Sequence, residues 1–238
     1  MIGMAHERPL STSDVGALEG LAADLRRVFG ERLRSVVAYG LSERDDDDLL
    51  SALALVDRIT FEDLAACAPL ARDWHRRGLN VPLLLEHEEF FRTLDVFPLE
   101  YGSIIARHRV IAGEPPFVGA VVSEADLRRA IELGAKSHLI HLREGFIETG
   151  ADPQAVARLI AASAGAFRTV LVNIARLAGD PTDDLPASAE RQIGIPSSLV
   201  REVLGAGARG TIADPTELLA RYIAAAERIW EFVDRWRR

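Results

Sequence analysis

Residues 34–57 read RSVVAYGLSERDDDDLLSALALVD, and this stretch decides how the first half of the chain folds. Ser35, Val36, Val37, Ala38 and Tyr39 form a largely apolar, partly β-branched run that stops at Gly40, the pattern of a strand. Leu49 to Val56 is a second apolar run, interrupted only by Ser51. Between the two lies a polar turn with four consecutive aspartates, Asp45 to Asp48. Aspartate is disfavoured in strands, and like charges in a row repel. The turn therefore reads as a solvated acidic loop joining two strands.

On the N-terminal side, residues 1–10 read as a loose tail. Ser11 to Asp14 offers N-caps, and Val15, Leu18, Leu21, Ala22, Leu25, Val28 and Phe29 recur at helical spacing up to Gly30. On the C-terminal side, Thr60 caps a helix predicted from Phe61 to Arg77, with Leu64, Ala68, Leu70, Ala71 and Trp74 turned inward. NVPLLL at 80–85 predicts a third strand, apolar enough for burial on both faces, although Pro82 points to an edge. Residues 86–92 read as a short helix or turn. Residues 95–105 alternate loosely and predict a fourth strand carrying Glu100, and 109–113 a last short one. Glu114-Pro115-Pro116 then ends regular structure, which places a domain boundary between 118 and 119.

The second half reads as helical. Ser123 starts a helix to about Thr149, with Leu127, Ile131, Leu133, Leu139, Ile140, Leu142, Phe146 and Ile147 as its apolar set. Asp152 and Pro153 cap and open the next, which stops at Gly179. Shorter helices are predicted over 186–193 and 196–205, and an amphipathic one runs from Asp214-Pro215 to about Trp236. The fold class is α+β: a mixed sheet with flanking helices in 1–118, followed by an all-α bundle in 119–238.

The formal net charge of −8 argues against general nucleic-acid binding, which needs a basic face. The single cysteine, Cys67, excludes an internal disulfide and, among alanines, reads as a small buried side chain. The first residues lack the apolar core of a signal peptide, and no uninterrupted apolar run nears the ~18 residues of a membrane span. A cytoplasmic location away from membranes is the expectation.

A strand ending in glycine and a second strand shortly after it resemble the nucleotidyltransferase superfamily of antibiotic-modifying and MNT-type enzymes. VPLLLEHEEF at 81–90 and FPLEYGSIIARHRVIAG at 97–113, followed by a helical half, are similar to the streptomycin-type adenylyltransferases. The resemblance implies a Gly-Ser turn whose helix amides receive phosphate oxygens. It also implies an Asp-x-Asp on the second strand, holding Mg²⁺ on ATP, and a third carboxylate on a later strand. Carboxylates at i and i+2 share a strand face and can share a divalent ion, which neutralises charge on the transferred group.

This chain departs from that pattern. Gly40 is followed by Leu41, with Ser42 one position on, and the positions where the family's aspartates would stand are Ala52 and Ala54. The reading is a non-catalytic relative, a module that binds a nucleotide, with Gly40 and Ser42 at the phosphates, or binds a partner. The alternative is a divergent adenylyltransferase for a small hydroxylated acceptor. There Asp46 and Asp48 in the shortened turn hold Mg²⁺, Glu100 is the third acid, and ATP and acceptor share the cleft between domains. A third reading is a structural or dimerisation protein.

Outside that stretch, His138 and His141, three apart with Glu144 following, have the spacing of a partial metal site, against a default of a polar helix face. His87 and His108 fall near strand ends, where a nucleotide would lie. The helical half invites comparison with HEPN ribonucleases, but Arg129 and His138 stand too far apart for their Arg–His motif. Ile229, Trp230, Phe232, Val233 and Trp236 form an apolar stripe that reads as core, with a homodimer surface as alternative. The chain has no Walker or Rossmann glycine pattern.

Overall fold

The computed structural model describes residues 10–41, 49–180, 184–206 and 212–236. The chain divides into two compact units that meet in sequence between Ser123 and Glu124.

The first unit opens with α1 (Thr12–Phe29). Ser11 starts it with a reciprocal capping box: the Asp14 amide donates to the Ser11 hydroxyl, and the Ser11 amide to the Asp14 carboxylate, both at 3.1 Å. Strands β1 (Leu33–Tyr39) and β2 (Ser51–Val56) follow, then α2 (Phe61–Cys67), α3 (Ala71–Arg76), β3 (Leu83–Glu86), α4 (His87–Arg92), α5 (Pro98–Ala106) and β4 (His108–Gly113). The strands form one mixed sheet in the order β3-β2-β1-β4. β1 is antiparallel to β2 and to β4, whereas β2 and β3 are parallel.

Strand alternation sends successive side chains to opposite faces, and each face of this sheet buries its own core. Val36, Ala38, Ala52, Ala54 and Val56 pack with Leu18, Leu21 and Leu25 of α1 and with Trp74. Val37, Leu53 and Leu55 pack with Phe90, Tyr101, Ile104 and Phe117.

Three expectations are corrected here. Residues 95–105 do not add a strand: Pro98 sits at the start of α5, where its missing N–H costs nothing, and Pro98, Tyr101 and Ile104 are buried at helical spacing. Glu100 therefore stands exposed in the first turn of a helix rather than on a sheet. The helix expected over 61–77 is broken into α2 and α3 by a 3₁₀ turn at Ala68–Leu70, which contains Pro69, and Leu64 is exposed. β3 is an edge strand with Leu83 exposed, so its apolarity does not reflect burial on both faces.

The second unit contains α6 (Glu124–Glu148), α7 (Pro153–Ala178), α8 (Leu185–Ile193), α9 (Ser197–Leu204) and α10 (Pro215–Asp234). Asp152 caps α7 by accepting from the Ala155 amide at 2.8 Å, and Gly179 ends it in the left-handed conformation at φ 69°. α6, α7 and α10 pack on one another, and α8 and α9 pack on α7. α7 is long and apolar enough, by length and composition, to cross a membrane, with mean hydropathy 1.5. The sequence expectation missed this because it counted uninterrupted runs, which Arg158 and Arg168 break. Here 39% of that window is buried, and α7 lies against α6, α8, α9 and α10.

The apolar set expected for α6 splits between two faces. Ile131, Leu139 and Leu142 are buried with Ala135 and His138, while Leu133, Ile140 and Ile147 face solvent. On α10, Ile229 and Val233 enter the core, and the Lys136 ammonium lies 3.6 Å from the centre of the Trp230 ring.

Candidate functional site

The loop end of the sheet in the first unit is built from the stretch that opened the sequence. β1 runs out at Tyr39, and Gly40 turns the chain with φ 71°, a conformation that costs glycine least. Tyr39 stands in register with Ser51 on one side and with His108 on the other. The Asn80 side-chain amide donates to the Ser51 hydroxyl at 3.2 Å and to the Leu49 carbonyl at 3.4 Å. One row thus crosses the sheet at its rim: Asn80, Ser51, Tyr39, His108. All four are half-buried.

Burial pushes the Tyr39 phenol up, opposed by its hydrogen bond with Ser51. The His108 Nδ1 lies 3.2 Å from the Ile105 carbonyl oxygen. A carbonyl only accepts, so Nδ1 carries a proton and donates to it. Phe117 meets the His108 ring edge-on at 4.7 Å. Such a row offers donors and acceptors to an uncharged polar ligand and contains no carboxylate.

The acids expected near this rim are not on the strands. Ala52 and Ala54 are 1% and 0% exposed, turned into the core beneath α1. The intervening Leu53 and Leu55 fill the opposite core, so β2 carries no carboxylate on either face. Asp57, just beyond it, is paired with Arg34. Ser42, Asp46 and Asp48 lie outside the described residues. Gly40 is at the rim, and Glu100 is exposed on α5. Among the described residues, no three of His, Cys, Asp and Glu are grouped to hold a metal ion.

The histidine pair of α6 does not converge either. His138 is buried and its Nε2 lies 2.8 Å from the Tyr222 hydroxyl, while His141 faces solvent beside Ser137. His87 packs against Phe91.

The sequence reading missed two buried carboxylates, and both have structural partners. Asp24 accepts from the Trp74 indole at 3.0 Å, from Arg77 at 2.6 Å and from Arg27. Burial alone would raise its pKa, but the hydrogen bonds from Arg77 and Trp74 outweigh that and lower it. Its signal was available, since Asp24 interrupts the buried stripe of α1 between Leu21 and Leu25. Asp63 takes a two-pronged bond from Arg32, 2.7 Å on each oxygen, which holds its carboxyl well below the usual range. Glu86, the acid that ends β3, accepts from the Ile59 amide at 2.9 Å and caps α4. None of the three is free to bind a ligand.

The described residues define an α+β chain: a mixed four-stranded sheet with helices on both faces, and a separate helical unit. No protein-family model matches the sequence, and comparison with curated proteins finds no relative.

Proposed function

We propose that this protein is a nucleotidyltransferase-like module that acts by binding a nucleotide or a partner and does not transfer nucleotidyl groups. One observation carries the reading. The second strand, where the resemblance calls for paired aspartates, has Ala52 and Ala54 packed into one core and Leu53 and Leu55 into the other. A strand filled in this way leaves nothing from which to coordinate an ion. The rim that remains suits a ligand recognised by neutral hydrogen bonds, such as a nucleoside or the backbone of a protein partner.

Calorimetric titration of ATP into the full chain, with and without Mg²⁺, tests this. The expected result is binding that does not depend on the metal and is unchanged in Asp46→Asn/Asp48→Asn. Mg²⁺-dependent binding lost in that double variant would overturn the reading in favour of the divergent adenylyltransferase using Asp46, Asp48 and Glu100. Failure of ATP to bind under either condition would remove the nucleotide and leave a partner-binding module.

A further inference from the structure

The apolar stripe at the end of α10 is spent unevenly. Ile229 and Val233 enter the core, and the Trp230 ring lies against the Lys136 ammonium. Phe232 and Trp236 remain half-buried, and together they wall a groove of about 570 Å³. That volume suits a small organic ligand. Arg228 and Glu231 of the same helix line the groove too, with Arg235 at its C-cap and Ile193 from the end of α8. Spacing explains the set. Positions 228, 231, 232 and 235 fall on one side of a helix, and the turn continues to Trp236, whose amide donates to the Val233 carbonyl at 3.1 Å. The Phe232 and Trp236 rings stand 81° apart with centres at 5.0 Å. They form a corner in which a flat ring can lie face-on to one and edge-on to the other.

We propose that this groove binds a small aromatic carboxylate, with its ring in the corner between Phe232 and Trp236 and its carboxylate on Arg228. The arginines set the charge of the ligand. Arg235 is paired with Glu231 at 2.6 Å, so those two charges cancel. Arg228 gives Nη1 to the Gly194 carbonyl at 2.7 Å, which fixes its guanidinium at the end of α8. Among the described residues it has no carboxylate partner. What remains is its Nε–Nη2 edge, whose two N–H groups match the two oxygens of a carboxylate. Two arginines against one glutamate leave the groove a single positive charge, although the chain as a whole carries −8. One surplus cation matches a monoanion. A neutral ring would leave that cation unanswered, and a second negative charge would meet Glu231. Every lining residue belongs to the second unit, so the inference goes beyond the nucleotide reading and stands independently of it.

Naphthoate titrated into the isotope-labelled full chain, followed by NMR of the indole N–H groups, tests it. The chain has three tryptophans and so three indole signals, and Trp236→Phe assigns the one at the groove. The expected result is a progressive shift of the Trp236 signal with half-saturation at about 1 mM, ordinary for a ligand of that size. The signals of Trp74 and Trp230 should stay in place. Naphthamide, with the same rings and no charge, should bind about fivefold more weakly. Arg228→Gln should weaken naphthoate to the same degree, with circular dichroism checking that the helices persist. Glu231→Gln should tighten it about threefold, because the change removes a carboxylate and frees the Arg235 guanidinium. That gain is one a damaged fold cannot imitate. A Trp236 signal that does not move overturns the proposal. So does naphthamide bound as tightly as naphthoate, or a Glu231→Gln chain whose affinity for naphthoate is unchanged or lower.

Discussion

Trp74 in the first unit and Tyr222 in the second are the largest fully buried side chains among the described residues, and they satisfy their polar atoms in opposite ways. The Trp74 indole donates to the carboxylate of Asp24, which Arg77 and Arg27 also engage. The lock between α1 and α3 is therefore ionic. Gly20 belongs to it, because a methyl group there would run into the Arg77 guanidinium. The Tyr222 hydroxyl instead shares a hydrogen bond with His138 Nε2 and donates to the Ser163 carbonyl at 3.3 Å. The lock between α6, α7 and α10 is neutral, with the Phe167 ring packed edge-on against Tyr222 at 4.8 Å. A buried ionic lock holds as long as its charges exist, whereas a buried neutral lock holds as long as charge is kept out.

The largest test of this contrast is Asp24→Ala. It leaves Arg77 and the Trp74 indole facing a buried site without their acceptor, which costs about 3 kcal/mol. Arg77 keeps Asp73 at 2.9 Å, so the loss falls near the low end for broken buried pairs. Urea denaturation measures it, and a loss below about 1 kcal/mol would show that packing alone holds α1 to α3.

Acid should take the two locks apart in sequence. Burial, with help from the neighbouring His141 charge, lowers the His138 pKa from 6.5 to about 4. The unfolded chain then binds the proton more readily than the folded one. Stability from this site is full above pH 6.5 and is lost as pH falls towards 4, by about 3 kcal/mol in all. The carboxylates of Asp24 and Asp63 have folded pKa values below 3.8, so their contribution persists down to that value and is lost only beneath it. Hydrogen exchange followed by mass spectrometry at pH 5 should show α6 and α10 weakened while α1 and α3 keep the protection they have at pH 7. Simultaneous loss in both units would break the contrast.

The smallest effect belongs to the other aspartate near β1. Arg34 and Asp57 are paired with side chains 60% and 41% exposed. Asp57→Asn should change stability by no more than ~0.5 kcal/mol, which thermal denaturation resolves. A larger change would mean that exposure does not separate this pair from the lock at Asp24.

Much of the fold was legible where the determinants are local. Ser11, Thr60 and Asp152 cap helices through their own side chains, and Gly30 and Gly179 end them through backbone freedom, so no distant residue is needed to read them. The strand at 95–105 failed for an equally local reason, because loose alternation was weighed above Pro98, which starts a helix there. The rim was not legible. Ser51, Tyr39 and His108 form a row only through the register of three strands, which Asn80 extends by its side chain, and no spacing in the sequence contains that register. The departure at Ala52 and Ala54 could be counted from Gly40, but the face to which those alanines turn could not. The two faces of α6 were both visible as apolar residues and were merged because periodicity does not say which stripe a neighbour covers.

The sheet order β3-β2-β1-β4 has a consequence for how the first unit forms. β1 finds β2 across a short connection, but its other edge waits for β4, some 70 residues later, since Tyr39 pairs with His108. Closing so long a loop is slow relative to local pairing. During synthesis the backbone of Val36, Val37 and Ala38 therefore emerges as an open template, free to pair with any extended chain nearby. Gly113 sets the end of that interval. Its backbone, at φ 84°, lies so close to the Arg34 carbonyl that any side chain would hold β4 off the edge it must close. Substituting it would lengthen the time for which nascent chains can join to one another, so the harm would be read in aggregation yield before it was read in the stability of the finished protein.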